Sequence, residues 1–383
     1  MRKVTFAFLL LSLSSCHFYR SIVRNFPDVD DHRFFHSRTI NPDKSPFQFT
    51  NYTNSPLGSQ VMVIPKGKTD SIPQSLDNYV DSSRTVAFLI IKNDSILYEK
   101  YSKGHTAESL ITTFSAVKSI LSLLIGIAIN DGLIENVNDP ITKYLPEFHL
   151  KEGFDSIKIR HLLQMRSGIK ESKILTMPSS QPLRFYYGKD LDKQCYNLKI
   201  DTLSGGKFRY SYASNTQLLG MLLREVTGKN LSVYFEEKIW SKVGTSSPAY
   251  WDLDKKDGME KAFCCFNAKA RDIAKIAKLL LQKGKWDGEQ IVPEWWIDEI
   301  TKIEHVKEYN MKKELPNKEH YNMHWWVGTK GRGDYEASGM YGQTIKLFPK
   351  ENMTMLVFTK RRGWTQGHYQ VDLFYQIMDQ LNF

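Results

Sequence analysis

Ser115 and Lys118 stand three residues apart at the mouth of a long apolar stretch. The chain reads Thr113-Phe114-Ser115-Ala116-Val117-Lys118, then Ser119-Ile120-Leu121-Ser122-Leu123-Leu124-Ile125-Gly126-Ile127-Ala128-Ile129. On a helix, positions i and i+3 share a face. The lysine amine therefore lies one turn from the serine hydroxyl. Burial lowers the pKa of an amine, and an amine so lowered can take the hydroxyl proton. The start of the helix adds unpaired backbone N–H groups and the positive end of the helix dipole. One turn of chain thus holds a nucleophile, a base and part of an oxyanion-binding site.

The same spacing recurs at Ser167…Lys170 and Ser204…Lys207, but glycine interrupts both (Gly168; Gly205 and Gly206), and both read as turns. Only Ser115 opens a long apolar run, which Asn130-Asp131-Gly132 ends. A helix apolar on nearly every side belongs in the middle of a domain. A lysine in its first turn is costly there unless it has partners or a task. The plainer alternative is a serine cap beside a lysine that snorkels to water.

Elements on both sides must hold this turn. Thr85–Ile91 reads as a buried strand, and Asn93-Asp94 turns it into a partner over Ser95–Tyr101. Short helices are expected from Asp139-Pro140 to Leu145 and over Ile159–Met165. Residues 170–210 read as a long irregular loop, which inside a domain points to function. Amphipathic helices are expected over Asn215–Thr227 and Asn267–Gly284, and a third opens after Pro293. Strands follow at Tyr321–Val327, Gln343–Phe348 and Met353–Thr359, and a helix over Gln370–Leu381 closes the chain. That order predicts an α+β fold: one antiparallel sheet built from both chain ends, flanked by helices, with a mainly helical insertion at about 135–260.

The first fifteen residues read as a signal peptide, with Arg2-Lys3 ahead of a short apolar stretch from Val4 to Leu13. Leu13-Ser14-Ser15-Cys16 resembles a bacterial lipobox, so Cys16 is the expected lipidation site, holding the protein on a membrane facing the periplasm. Residues 16–75 read as a tether and irregular extension, and 76–383 as the folded domain. The formal charge of +10 comes from scattered Lys and Arg, and no nucleic-acid-binding signature accompanies it. Cys195, Cys264 and Cys265 show no metal-ligand spacing, and no metal or organic cofactor is expected. Adjacent cysteines cannot form an ordinary unstrained disulfide. Buried free thiols are the expectation, with a bond from Cys195 to one of the pair left open.

Five blocks in order now make the chain resemble the beta-lactamase-related serine hydrolases: class C beta-lactamases, D-alanyl-D-alanine carboxypeptidases, bacterial esterases and 6-aminohexanoate-dimer hydrolase. The blocks are Phe114–Ser119; Ile159-Arg160-His161-Leu162-Leu163 with Ser167-Gly168; Phe208-Arg209-Tyr210-Ser211-Tyr212 with Leu218-Leu219-Gly220; Ala270-Arg271-Asp272-Ile273-Ala274 leading to Gln282-Lys283-Gly284; and Ala337-Ser338-Gly339-Met340-Tyr341-Gly342-Gln343. The resemblance implies that Ser115 forms an acyl-enzyme, that Lys118 takes or tunes its proton, and that Tyr210 shuttles a proton to the leaving group. A cationic neighbour, Lys118, would have to lower the phenol's pKa. Backbone N–H groups of Ser115 and Gln343 would form the oxyanion hole. Tyr212, Tyr187, Met340, Gly342 and Trp326 are the candidate pocket residues, and Tyr212 is the alternative proton carrier.

Two positions depart from that pattern. The family's Tyr-x-Asn is Tyr210-Ser211-Tyr212 here, and the cation expected in the last block is replaced at Met340. Loss of that cation turns the expectation away from carboxylate-bearing beta-lactams and towards another small ester, amide or peptide substrate. Two alternatives stand beside the hydrolase. One is a cell-wall D-amino-acid peptidase or penicillin-binding protein. The other is a silent lipoprotein that binds muropeptides or glycans.

Overall fold

The computed structural model describes residues 27–52, 55–65, 72–172, 180–304, 320–329, 331–360 and 370–381. The signal peptide and Cys16 lie outside the described residues. In chain order the strands of the two larger sheets are β1 (Ser37–Ile40), β2 (Thr50–Asn51), β3 (Thr85–Lys92), β4 (Ser95–Tyr101), β5 (Ile111–Thr112), β6 (Ala249–Asp252), β7 (Phe266–Ala268), β8 (His320–Asn322), β9 (Trp325–Val327), β10 (Tyr335–Gly339), β11 (Gln343–Phe348) and β12 (Met353–Thr359). The main sheet has eight strands in the order β8-β9-β10-β11-β12-β3-β4-β2, and only the β2–β4 pair is parallel. A smaller sheet runs β1-β6-β7-β5. The helices that matter for the site are α1 (Val117–Asn130), α2 (Ser214–Thr227), α3 (Ala270–Leu281), α4 (Glu294–Ile300) and α5 (Gln370–Gln380).

Alternation along β3 explains the layers. Phe88 and Ile90 join Met353, Met355 and Val357 of β12 and Phe374 and Ile377 of α5 in one apolar cluster. Ala87, Leu89 and Ile91 join Leu356, Phe358 and residues of α1 and α3 in another. Every residue from Thr85 to Ile91 is buried, because helices cover both faces of the strand. The fold is the expected α+β arrangement, with a sheet built from both chain ends.

Helix α1 is buried from Val117 to Ala128, as its uniform apolarity requires. Gly126 is the position where α4 presses in. A Cβ built there would lie 2.3 Å from Cγ of Trp296. Gly126→Ala gains helix propensity of about 1 kcal/mol, yet it forces a buried indole to move at a cost of about 1–3 kcal/mol. The expected net result is a lower thermal unfolding midpoint. An unchanged midpoint would mean that the Trp296 ring has room to shift.

Four segments differ from their sequence-based expectations. Tyr321–Val327 is a hairpin rather than one strand, because Met323 and His324 adopt φ of +47° and +66° and reverse the chain between β8 and β9. The loop expected at 170–210 contains helices Gln181–Tyr187 and Leu191–Tyr196. The upstream extension contributes β1, paired with β6, and β2, paired with β4. Cys264 and Cys265 are disulfide-bonded to each other, in a turn closed by Cys264 N–H donating to the Lys261 carbonyl, and Cys195 is a buried free thiol. These strands pair with partners far away in sequence, which local patterning does not reveal.

Candidate active site

Ser115 is the middle residue of a 3-10 turn, Phe114–Ala116, that runs directly into α1. The turn is pinned from one side by Thr113, whose N–H and hydroxyl both donate to the Phe266 carbonyl, at 2.9 and 3.0 Å. Phe114 takes φ of +46°, a conformation that a bulky L-residue adopts only when its surroundings enforce it. From Ile111 to Ala128 all residues but the half-buried Ser115 are buried.

Lys118 is only 1% exposed. Its amine lies 3.0 Å from Ser115 Oγ and donates to the carbonyls of Tyr212 and Phe263, both at 2.9 Å. This arrangement suits a neutral amine. Its two N–H bonds are taken by the carbonyls, and its lone pair is left for the serine O–H. Burial brings the lysine pKa down from 10.5 to about 7, against the opposing field of the Glu171 carboxylate.

Tyr210 completes the group. Its ring centroid is 5.7 Å from the Lys118 amine, and its hydroxyl hydrogen-bonds with Ser115. The expected lowering of this phenol does not occur. Desolvation pushes its pKa up and outweighs the Ser115 hydrogen bond, so Tyr210 is a neutral phenol at physiological pH. The ring is held by stacking on Trp326 (centroids 6.1 Å apart, planes at 19°) and by edge contacts with Tyr212 and Tyr321. Trp325, pointing the other way along β9, packs against Tyr335 in the core.

The opposite wall is the end of β10. A Cβ at Gly339 would lie 2.6 Å from the Thr113 carbonyl oxygen and 3.2 Å from the Ala116 nitrogen, so only glycine lets this strand approach the Ser115 turn so closely. The half-buried Met340 follows in a tight turn, with Tyr341 at φ +65° and the buried Gly342. Gln343 stands across from Gly339 at the start of β11, and its amide is clamped to the backbone of Thr359 on β12. Gly339 presses directly against the Ser115 turn, with Gln343 paired to it on the next strand. Tyr187 is buried between Phe35 and Tyr186.

Three groups around Lys118 were missed in the sequence. Glu171 accepts from Ala213 N–H at 2.9 Å and from the Ser214 hydroxyl at 3.2 Å, and its field reaches Lys118. His324 is buried, contacts Thr216 and Tyr321, and is held neutral by burial and by Lys118, with its pKa near 3. The Phe263 carbonyl is the third. The one available signal was that Glu171 follows a predicted turn at Ser167-Gly168. His161, by contrast, bonds Ser204 and the Lys158 backbone, as a structural histidine does. Among the described residues no group of three or more His, Cys, Asp or Glu is gathered to hold a metal ion, and no helix is long and apolar enough to cross a membrane.

The family described as Beta-lactamase matches residues 74–374. The 6-aminohexanoate-dimer hydrolase of Paenarthrobacter ureafaciens is 24% identical over 302 residues, covering 76% of this chain and 75% of that protein. Among solved structures, a Bacillus anthracis protein provisionally described as a 6-aminohexanoate-dimer hydrolase superposes with a TM-score of 0.79 at 21% identity, covering 92% of each chain. A penicillin-binding protein homologue from Caulobacter crescentus gives 0.63 at 14% identity, covering 79% of this chain and 94% of that one.

Proposed function

The chain belongs to the beta-lactamase family, and from that premise we propose that it is a serine hydrolase cleaving a small amide or ester through an acyl-enzyme on Ser115. One observation carries the reading: a desolvated lysine amine 3.0 Å from the serine oxygen, with its two other contacts spent on carbonyls. Ser115 Oγ attacks the substrate carbonyl carbon while its proton passes to Lys118 Nζ. Tyr210 then gives its hydroxyl proton to the leaving nitrogen or oxygen and is reprotonated from Lys118. Water attacks the acyl carbon by the same route in reverse. We assign the oxyanion to the N–H groups of Ser115 and Met340, because the close approach of Gly339 sets the residue after it beside the Ser115 turn.

We infer the substrate class from what lines the wall at the end of β10 and the start of β11. Met340 supplies no cation, and Lys346 on β11 is fully buried in ion pairs with Asp334 and Glu336. A substrate carboxylate would find little to grip at this wall, which favours neutral acyl groups over beta-lactams. The relative named as a 6-aminohexanoate-dimer hydrolase supports an amide as the scissile bond. Membrane attachment through Cys16 is proposed from the lipobox alone.

The test is a panel of short-chain esters, linear amides, D-amino-acid amides and a chromogenic beta-lactam, run on wild type, Tyr210→Phe and Tyr212→Phe. Turnover of neutral esters or amides is expected, with slow or no beta-lactam turnover. Tyr210→Phe is expected to lower kcat/KM by roughly 10²–10³-fold. Tyr212→Phe should change it only a few-fold, since the contact of Tyr212 with Lys118 is its carbonyl. The reverse ranking would move the proton-carrying role to Tyr212, and fast beta-lactam turnover would overturn the substrate assignment.

A further inference from the structure

Glu171 sits behind the catalytic lysine, outside the five sequence blocks. One carboxylate oxygen accepts from Ala213 N–H and the other from the Ser214 hydroxyl. The Ser211 hydroxyl also bonds to it, and lies 3.0 Å from the Ser214 hydroxyl. These bonds tie Glu171 to both sides of Tyr212, whose carbonyl holds Lys118. Glu171 also borders a cavity of 440 Å³ shared with Met165, Arg209, Ser211 and Asn215, which gives its carboxylate a path to water.

We propose that Glu171 is a positioning residue that supplies the counter-charge to Lys118 and thereby sets the acidity range in which this amine can accept the Ser115 proton. The inference rests on the reading above, in which Lys118 is the base for Ser115. The other groups facing the amine leave this task to Glu171. Tyr210 is a neutral phenol raised by burial, with Tyr212 beside it. His324, from the β8–β9 turn, is neutral. On the segment before β7, Phe263 offers a carbonyl, while Lys261 lies over the Phe35 ring and acts on Asp31 and Asp252. Burial pushes the Glu171 carboxyl up from its ordinary range, while the bonds from Ser211, Ala213 and Ser214 and the charge on Lys118 favour the carboxylate. In that anionic form Glu171 favours the ammonium form of Lys118. Removing its charge makes the amine easier to deprotonate, so the acid limb of the reaction must move to lower pH.

The experiment measures the rate of Ser115 labelling by a fluorophosphonate against pH, on the full chain, for wild type, Glu171→Gln and Glu171→Asp, with Ser115→Ala as control. Glu171→Gln is expected to shift the midpoint of the acid limb downwards. At a pH one unit below the wild-type midpoint it should keep a several-fold larger fraction of its plateau rate than wild type does. Glu171→Asp, which keeps the charge, should keep the wild-type midpoint even if its plateau falls. A purely structural role would lower the plateau and leave the midpoint in place, and that result would overturn the proposal while sparing the hydrolase reading. If Glu171→Gln does not fold, Ser214→Ala replaces it: losing a hydrogen bond favours the neutral carboxyl, so the limb should move in the same direction, and a fixed midpoint again overturns the proposal. Absence of Ser115-dependent labelling in wild type would overturn both.

Discussion

Ser115→Ala is expected to abolish labelling by fluorophosphonates and to lower kcat by on the order of 10⁵–10⁶-fold, about 7–8 kcal/mol of transition-state stabilisation. The fold should survive. The substitution removes one hydroxyl at the mouth of the site, and Lys118 keeps both of its carbonyl partners. The hydroxyl contributes no apolar packing, so the unfolding midpoint should stay close to that of wild type. The measurement is burst kinetics together with intact-mass detection of a covalent adduct. A variant that retains turnover or labelling would show that another residue is the nucleophile, and the role proposed for Lys118 would fall with it.

Lys118→Met comes second in size. Methionine fills the same buried channel without the amine, so loss of packing is kept apart from loss of chemistry. The expected cost is roughly 10³–10⁴-fold in acylation rate, near the upper range for removal of a positioned base. Stability should fall by about 1–3 kcal/mol, because the Tyr212 and Phe263 carbonyls lose their buried donor, a cost only partly offset by removal of the desolvated amine. The pH profile adds a second readout. With its pKa near 7, Lys118 is a competent base only where the amine is neutral. The wild-type rate must therefore rise with pH through about 7 and level off above it. Lys118→Met should lose that limb together with the rate. A limb that persists in the variant would belong to a different group.

The proposed nucleophile and base were legible because they lie on one turn, where sequence spacing and spatial distance nearly coincide. Tyr210 required five blocks in order before its position meant anything. Glu171, His324 and the Phe263 carbonyl could not be read in the same way. Each reaches Lys118 or its neighbours through tertiary packing, across 53, 206 and 145 residues of chain respectively. Phe263 acts through its backbone, to which side-chain identity gives no clue. The charge state of Tyr210 shows the same limit. A nearby cation suggested a lowered phenol, but burial dominates, and the amine is itself only about half charged near pH 7. Long strands and helices were readable from period alone, whereas β8 and β9 were merged because left-handed Met323 and His324 carry no Gly or Asn to mark the reversal.

The stretch before residue 74 lies outside the family match, yet it is sewn into the site's surroundings. The Pro27 carbonyl accepts from the Tyr341 hydroxyl, Asp31 accepts from Tyr186, and Phe35 packs against Tyr186 and Tyr187. The Tyr341 ring in turn braces Phe114, next to the nucleophile. A shortened protein that began at the family boundary would be a different enzyme in miniature: two phenols would be cut loose, a hydrophobic socket opened to water, and the brace behind Ser115 left without its outer fastening. Kinetics measured on such a fragment would describe the excision and not the parent.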